Sequence, residues 1–174
     1  MVVNVVHSET WLLVQEAFVL GTREVGKLQH LFWPPARVLD ASGHVRYGLR
    51  WTIASPDTEC WILEWPTKHT LAKFCGRYEG EVLRFRPVEL SNEGLALNVF
   101  DKPASFHPVG PGRWAIHFAS LPDPVSVRLF VDKRLKGQVA SRVPMTICDL
   151  ALSWLCVSTI ARGIPEVYLP FFMH

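Results

Sequence analysis

Thr146-Ile-Cys-Asp149-Leu-Ala-Leu-Ser153-Trp-Leu-Cys-Val-Ser158-Thr-Ile-Ala161 decides the fold, because it reads as a short helix that is apolar on every side. Thr146 suits the N-cap and Asp149, three residues on, completes a capping-box pattern, while Pro144 stops any earlier helix from running in. Arg162 falls in the last turn, Gly163 suits a left-handed C′ position, and Pro165 forbids continuation. Ile147, Cys148, Leu150, Ala151, Leu152, Trp154, Leu155, Cys156, Val157 and Ile160 leave no sector for water. The hydroxyls of Ser153, Ser158 and Thr159 can bond back to the preceding turn. A helix apolar all round has to be enclosed, by protein or by lipid. Spanning a bilayer takes about 20 residues, more than this segment offers, and Asp149 stands near its start. Protein is therefore the expected enclosure, and no transmembrane segment is expected.

Upstream of the helix the chain reads mostly as strands. Trp114, Ile116 and Phe118 alternate onto one face, as do Leu95, Leu97 and Val99, then Val127, Leu129 and Val131, and Leu83 with Phe85. Asp40-Ala-Ser-Gly43, Ser55-Pro-Asp-Thr58 and Ser91-Asn-Glu-Gly94 are turn sequences. Three passages share one grammar of apolar pair, acid, polar turn and second apolar strand. They are Val38-Leu-Asp40 to Val45, Ile62-Leu-Glu64 to Ala72, and Phe130-Val-Asp132 to Ala140. Each is expected to be a hairpin, with Ser42-Gly43 and Lys136-Gly137 at or beside the turns. Glu9 to Phe32 favours strands, with a helix as the alternative because Trp11, Val14, Phe18, Val25, Leu28 and Phe32 fall near helical spacing. Asp101 to Arg113 reads as one long irregular loop. The expected fold is mainly β: a closed or nearly closed antiparallel β-barrel around a C-terminal hydrophobic α-helix. It forms one domain over 1–174, with the barrel in 1–143 and the helix and an aromatic tail in 144–174.

Composition bounds the function. A hydrophobic fraction of 49%, seven Trp and ten Phe exclude a disordered chain. The net charge of +2 falls short of the concentrated positive field of a nucleic-acid binder. The start lacks a basic signal-peptide region, Val2 stands where myristoylation needs glycine, and there is no CaaX box, so no leader or lipid anchor is expected. Cys60, Cys75, Cys148 and Cys156 are widely spaced without a CxxC pair, which suits reduced thiols in the cytoplasm.

No Walker A, GxGxxG, HExxH or GxSxG motif is present. Cys60, His69 and Cys75 form a loose set lacking the fourth ligand that tetrahedral zinc requires. Neither a metal nor another cofactor is expected. His107 and His117 flank the Pro/Gly-rich loop and could act as acid or base, although no partner nucleophile is evident. Asp149 is accounted for as a helix cap. The basic residues carry more. Arg128, Lys133, Arg134, Lys136 and Arg142 gather around one predicted hairpin, and Arg84 and Arg86 share a strand face at i, i+2. Guanidinium and ammonium groups so arranged suit phosphate oxygens.

Phe32-Trp-Pro-Pro-Ala-Arg-Val38-Leu-Asp-Ala-Ser-Gly43-His-Val resembles the aromatic-proline run and hairpin of scramblase-like proteins. Phe130-Val-Asp-Lys-Arg-Leu-Lys-Gly137-Gln-Val-Ala resembles their second-half hairpin, and the apolar helix followed by Val167-Tyr-Leu-Pro-Phe-Phe172 resembles their C-terminus. The chain thus resembles the tubby C-terminal-like superfamily, which includes the LURP-one-related and phospholipid scramblase proteins. The resemblance implies a twelve-stranded barrel around the helix and binding of membrane lipid or a regulatory partner, without established catalysis. The sequence departs from scramblases in showing no Pro-rich leader or clustered cysteine run, so palmitoylation and calcium-dependent lipid transport are not expected. The expected function is a non-catalytic lipid, membrane-surface or phosphate-headgroup binding module, cytoplasmic and peripheral to membrane. Its partners would be anionic lipid headgroups or a protein, and its site Arg128, Lys133, Arg134, Lys136 and Arg142. A protein-interaction scaffold without a small ligand, and a nucleic-acid-binding protein or small nuclease using His107 or His117, stay open.

Overall fold

In a computed structural model, residues 1–10, 13–31, 36–54, 57–129 and 135–162 are described. The barrel wall begins with β1 (Val2–Glu9), β2 (Leu13–Leu20), β3 (Arg23–Leu31) and β4 (Ala36–Asp40). It continues through β5 (Val45–Ala54), β6 (Asp57–Glu64), β7 (Thr70–Glu79) and β8 (Val82–Leu90). It finishes with β9 (Ala104–Gly110), β10 (Arg113–Phe118), β11 (Val125–Leu129) and β12 (Leu135–Ala140), and α1 (Ile147–Arg162) follows. Each strand pairs antiparallel with its sequence neighbours, and β12 returns to β1 to close the barrel. Closure gives every strand two neighbours, although β8 and β9 pair over only three residues each. The Met1 ammonium group and carbonyl both bond to Ser141, at 2.7 and 2.9 Å, beside that seam.

The central helix is enclosed as its sequence requires. Leu150, Leu152, Trp154, Leu155 and Val157 are all buried, and Thr146 caps the first turn through its hydroxyl on the Asp149 amide. Ser158 bonds back to the Leu155 carbonyl, whereas the buried Ser153 hydroxyl finds no partner among the described residues. The 9–32 stretch forms strands over its described residues, with Val14, Glu16 and Phe18 of β2 opposite His30, Leu28 and Gly26 of β3.

The helix sits off-centre, closest to β3, β4, β11 and β12. Gly26, Phe18, Val5 and Gly137 stand opposite one another in turn across β3, β2, β1 and β12. A Cβ on Gly26 would overlap Ile147, and one on Gly137 would overlap the Trp154 ring. The two bare positions let the wall approach the helix there. On the far side Phe85 stacks on Trp51 and on Phe74, and Phe100 and Phe106 meet Phe85 edge-on.

Four expectations are corrected. Leu95, Leu97 and Val99 are not a strand; they belong to an irregular segment between β8 and β9 that folds inward and buries Val99 and Phe100. The 101–113 stretch is not one loop, since Ala104–Gly110 is β9 and joins β10 through a tight turn. Pro108 is accommodated by a local register shift of that hairpin. Lys136-Gly137 is not a turn: both lie within β12, where Gly137 gives room to Trp154. Asp149 is more than a cap, because it also accepts the backbone N–H groups of Asn98, Val99 and Phe100. The first two hairpins stand as read, with Gly43 in the left-handed region at φ 83°. Of the third, Phe130-Val-Asp132 lies outside the described residues; Leu135–Ala140 is β12, which pairs with β11.

Candidate functional site

The outer wall opens where β8 and β9 part. Only Leu83–Phe85 and Ala104–Phe106 pair, after which β8 runs on to Leu90 without β9 beside it. The split leaves a surface groove of about 840 Å³. Strand alternation decides what lines it: Phe85 and Phe106 face the core, so Arg84, Arg86 and Ser105 face out into the groove, and His107, also outward, stands beside it. Cross-strand register sets Asp57, Arg77, Arg84, Ser105 and His117 opposite one another across β6 to β10. A second row runs Glu59, Cys75, Arg86.

Charge in the groove is partly committed. Glu79 holds Arg84 at 3.1 Å, Asp57 faces Arg77 at 4.0 Å, and Glu59 binds Lys73 at 3.0 Å. Arg86 has no ion-pair partner among the described residues. His107 shares a 2.9 Å hydrogen bond with Ser105, and its ring meets His117 edge-on with centroids 4.9 Å apart. Burial, the neighbouring His117 and Arg84 together lower the His107 pKa below the ordinary histidine value, so its ring is neutral near pH 7.

A second polar cluster lies inside the wall. His7 of β1 and Glu16 of β2 stand opposite each other, with Lys136 beside them on β12. Val5 pairs with Gly137 and Val6 with Leu135, so Lys136 is the extra residue of a β-bulge. Bulges re-aim side chains, and this one brings the Lys136 ammonium to 3.1 Å from Glu16 and 3.1 Å from His7 Nδ1. His30 approaches the other Glu16 oxygen at 3.4 Å. Burial alone would raise the Glu16 pKa. The hydrogen bonds and charges of His30 and Lys136 outweigh it and hold the carboxyl at about 2. The cluster is a satisfied structural network.

The expected basic site is therefore not a free patch. Lys136 points inward and is committed to Glu16, while Arg128 lies opposite Gln138 on the outward-facing side of β11, so the two do not share a face. Arg142 lies 3.3 Å from Asp123. Lys133 and Arg134 lie outside the described residues. The Cys60–His69–Cys75 set does not converge: Cys60 faces the core, Cys75 lines the outer groove and His69 sits in the exposed β6–β7 turn. All four cysteines are free thiols. No group of three metal-ligating side chains occurs among the described residues, and no helix there is long and apolar enough to cross a membrane.

The Arg84/Arg86 pair and the two histidines were legible separately; their convergence was not, because nothing local states the β8–β9–β10 register. Ser105 and Arg77 carried no sequence signal. No family model, curated protein or solved structure matches the chain.

Proposed function

We propose that the protein is a non-catalytic binding module for a phosphate-bearing headgroup, and that the phosphate sits in the outer groove on Arg84 and Arg86. The observation that carries this reading is Arg86: an exposed guanidinium without a carboxylate partner among the described residues, on one strand face with Arg84 and lining one cavity with His117. A guanidinium presents a planar fork of donors to phosphate oxygens, and a neighbouring imidazole adds one more. Membership of the tubby C-terminal-like superfamily is part of the proposal. A closed twelve-stranded barrel around an apolar helix is the arrangement that resemblance implies.

Hydrolysis fits the groove less well. Two histidines acting as base and acid on a phosphodiester have to stand on either side of it, and these rings touch edge to face.

Calorimetric titration with inorganic phosphate and with a soluble inositol phosphate tests the proposal, alongside sedimentation with phosphoinositide vesicles. The soluble arms separate a free phosphate from a lipid source. Arg84→Gln with Arg86→Gln should weaken binding by roughly tenfold or more, since a hydrogen bond to a charged group contributes about 1.5–3 kcal/mol. Unchanged binding in that variant, together with loss on changing Lys133 and Arg134 to Ser, would return the site to the stretch between β11 and β12. No binding of any probe by the wild type would sink the reading.

A further inference from the structure

We infer that the groove takes its anion together with a proton, held by the His107–His117 pair once phosphate settles on Arg84 and Arg86. This proton uptake rests on the headgroup reading and makes the same site pH-regulated. Charge sets the need for it. Arg77, Arg84 and Arg86 line the groove against Asp57, Glu59 and Glu79, and Lys73 reaches Glu59 from outside the lining. Four cations over three carboxylates leave a surplus of one positive charge. A phosphate monoester brings roughly 1.5–2 negative charges near pH 7, so one proton more brings the site close to balance.

Register puts the proton acceptors where the anion would lie. Arg84, Ser105 and His117 stand opposite one another across β8, β9 and β10, and His117 lines the groove. His107 follows Ser105 by two residues on the same outward side, and its ring meets that of His117 with centroids 4.9 Å apart. The Ser105 hydroxyl, 2.9 Å from His107 Nε2, serves either state of that ring: it donates to a bare nitrogen and accepts from a protonated one. Around the pair, β8 presents Arg84, which Glu79 of β7 holds, and the turn before β8 presents the exposed Glu81. Arg113 of β10 and Arg128 of β11 stand opposite each other further along, while the row of His107 continues through the uncharged Ala115 and Ser126. Neither imidazole has a carboxylate partner among the described residues.

A proton on His107 is thus opposed by burial, by His117 and by Arg84, with no anion to favour it. Phosphate on Arg84 and Arg86 supplies that anion and offsets the arginine. Free His107 lies below the ordinary histidine value of about 6.5, and the bound anion raises it again. Affinity therefore climbs as pH falls through the interval between the free and bound values, and is flat above it. By linkage, binding within that interval draws a proton from solvent.

Proton NMR of the histidine rings tests this, with His107→Gln and His117→Gln assigning the two resonances. Saturating inorganic phosphate should raise the titration midpoint of one or both rings by about one pH unit and leave the other histidines where they were. The rise should vanish in Arg84→Gln with Arg86→Gln. Sulfate keeps its charge across this range, so its affinity is free of the ligand's own titration. Calorimetry should find sulfate bound about tenfold tighter near pH 5.5 than above pH 7, the change that accompanies a midpoint moved by one pH unit. Changing both histidines to Gln should flatten that profile. Should sulfate fail to bind, the ring midpoints decide alone. Phosphate that binds without moving either midpoint, or a tenfold gain that survives in the double histidine variant, would overturn proton uptake and leave the headgroup reading standing. Absence of phosphate binding at every pH would remove both.

Discussion

Phe100 donates its backbone N–H to Oδ1 of Asp149 at 3.2 Å, tying a segment that leaves the barrel wall to the first turn of the helix inside it. Val99 donates to the same oxygen, and Asn98, the Thr146 amide and the Thr146 hydroxyl donate to the other, at 2.9 to 3.2 Å. One carboxylate thus closes the capping box and satisfies three amides of an irregular segment. Its removal leaves buried donors stranded at about 1–3 kcal/mol each.

Asp149→Ala should therefore cost roughly 4 kcal/mol, against about 1 kcal/mol for loss of the Thr146 hydroxyl cap in Thr146→Ala. Urea denaturation of both variants checks the ratio. Equal losses would mean that Asp149 is only a helix cap.

Gly137→Ala should destabilise by about 2 kcal/mol, because the new methyl meets both the Arg128 carbonyl and the Trp154 ring. Adding Trp154→Leu should restore only part of the loss, since the carbonyl remains in the way. Full recovery would show that the ring alone sets the limit.

These two sites mark what the sequence made legible. The all-round apolar pattern of 147–160 demanded an enclosure, and period-two alternation in β10 and β11 supplied walls with one buried face, so barrel and helix followed from local signals. Leu95, Leu97 and Val99 alternate equally well but form no strand, because Asp149 draws their neighbours' amides inward from fifty residues away. Gly137 resembled a turn glycine because spacing alone does not separate positive φ from a close approach. Pro108 and Gly110 resembled loop residues, yet β9 absorbs them beside a register shift. For the groove, alternation showed that Arg84 and Arg86 share a face, but register between distant strands put the histidines beside them.

Acid should weaken the fold through Glu16. Its carboxyl is held at about 2 in the fold against about 4.3 in an open chain, so its contribution is present above pH 4.3 and is lost as pH falls toward 2. Melting temperature measured down this range should fall steadily in the wild type. Glu16→Gln should flatten that fall while lowering stability at pH 7 by about 3 kcal/mol, because Lys136 loses the carboxylate partner of a largely buried pair. An unchanged acid slope in Glu16→Gln would show that other groups set it.

Helix packing predicts a graded response at Leu152, which has no exposure to solvent. Leu152→Ala should fold with a loss of about 2–5 kcal/mol, and Leu152→Asp should not fold, because the carboxylate would be buried without a partner. A cooperatively melting Leu152→Asp protein would contradict the enclosed helix.

Thiol labelling reads the core and the groove together. Cys60, Cys148 and Cys156 are buried, and burial pushes each thiol well above its ordinary range, so the nucleophilic thiolate is scarce there. Cys75 is half-buried and lines the groove beside Glu59 and Arg86. Iodoacetamide at neutral pH should therefore modify Cys75 in the native protein and the other three only after denaturation, as peptide mass mapping would show. Phosphate bound on Arg84 and Arg86 should slow the Cys75 reaction without altering the other three. The slowing should vanish in Arg86→Gln, whose groove keeps its shape but loses the cation. Equal labelling rates with and without phosphate would place the anion elsewhere, while native-state labelling of Cys156 would mean that the helix leaves its barrel.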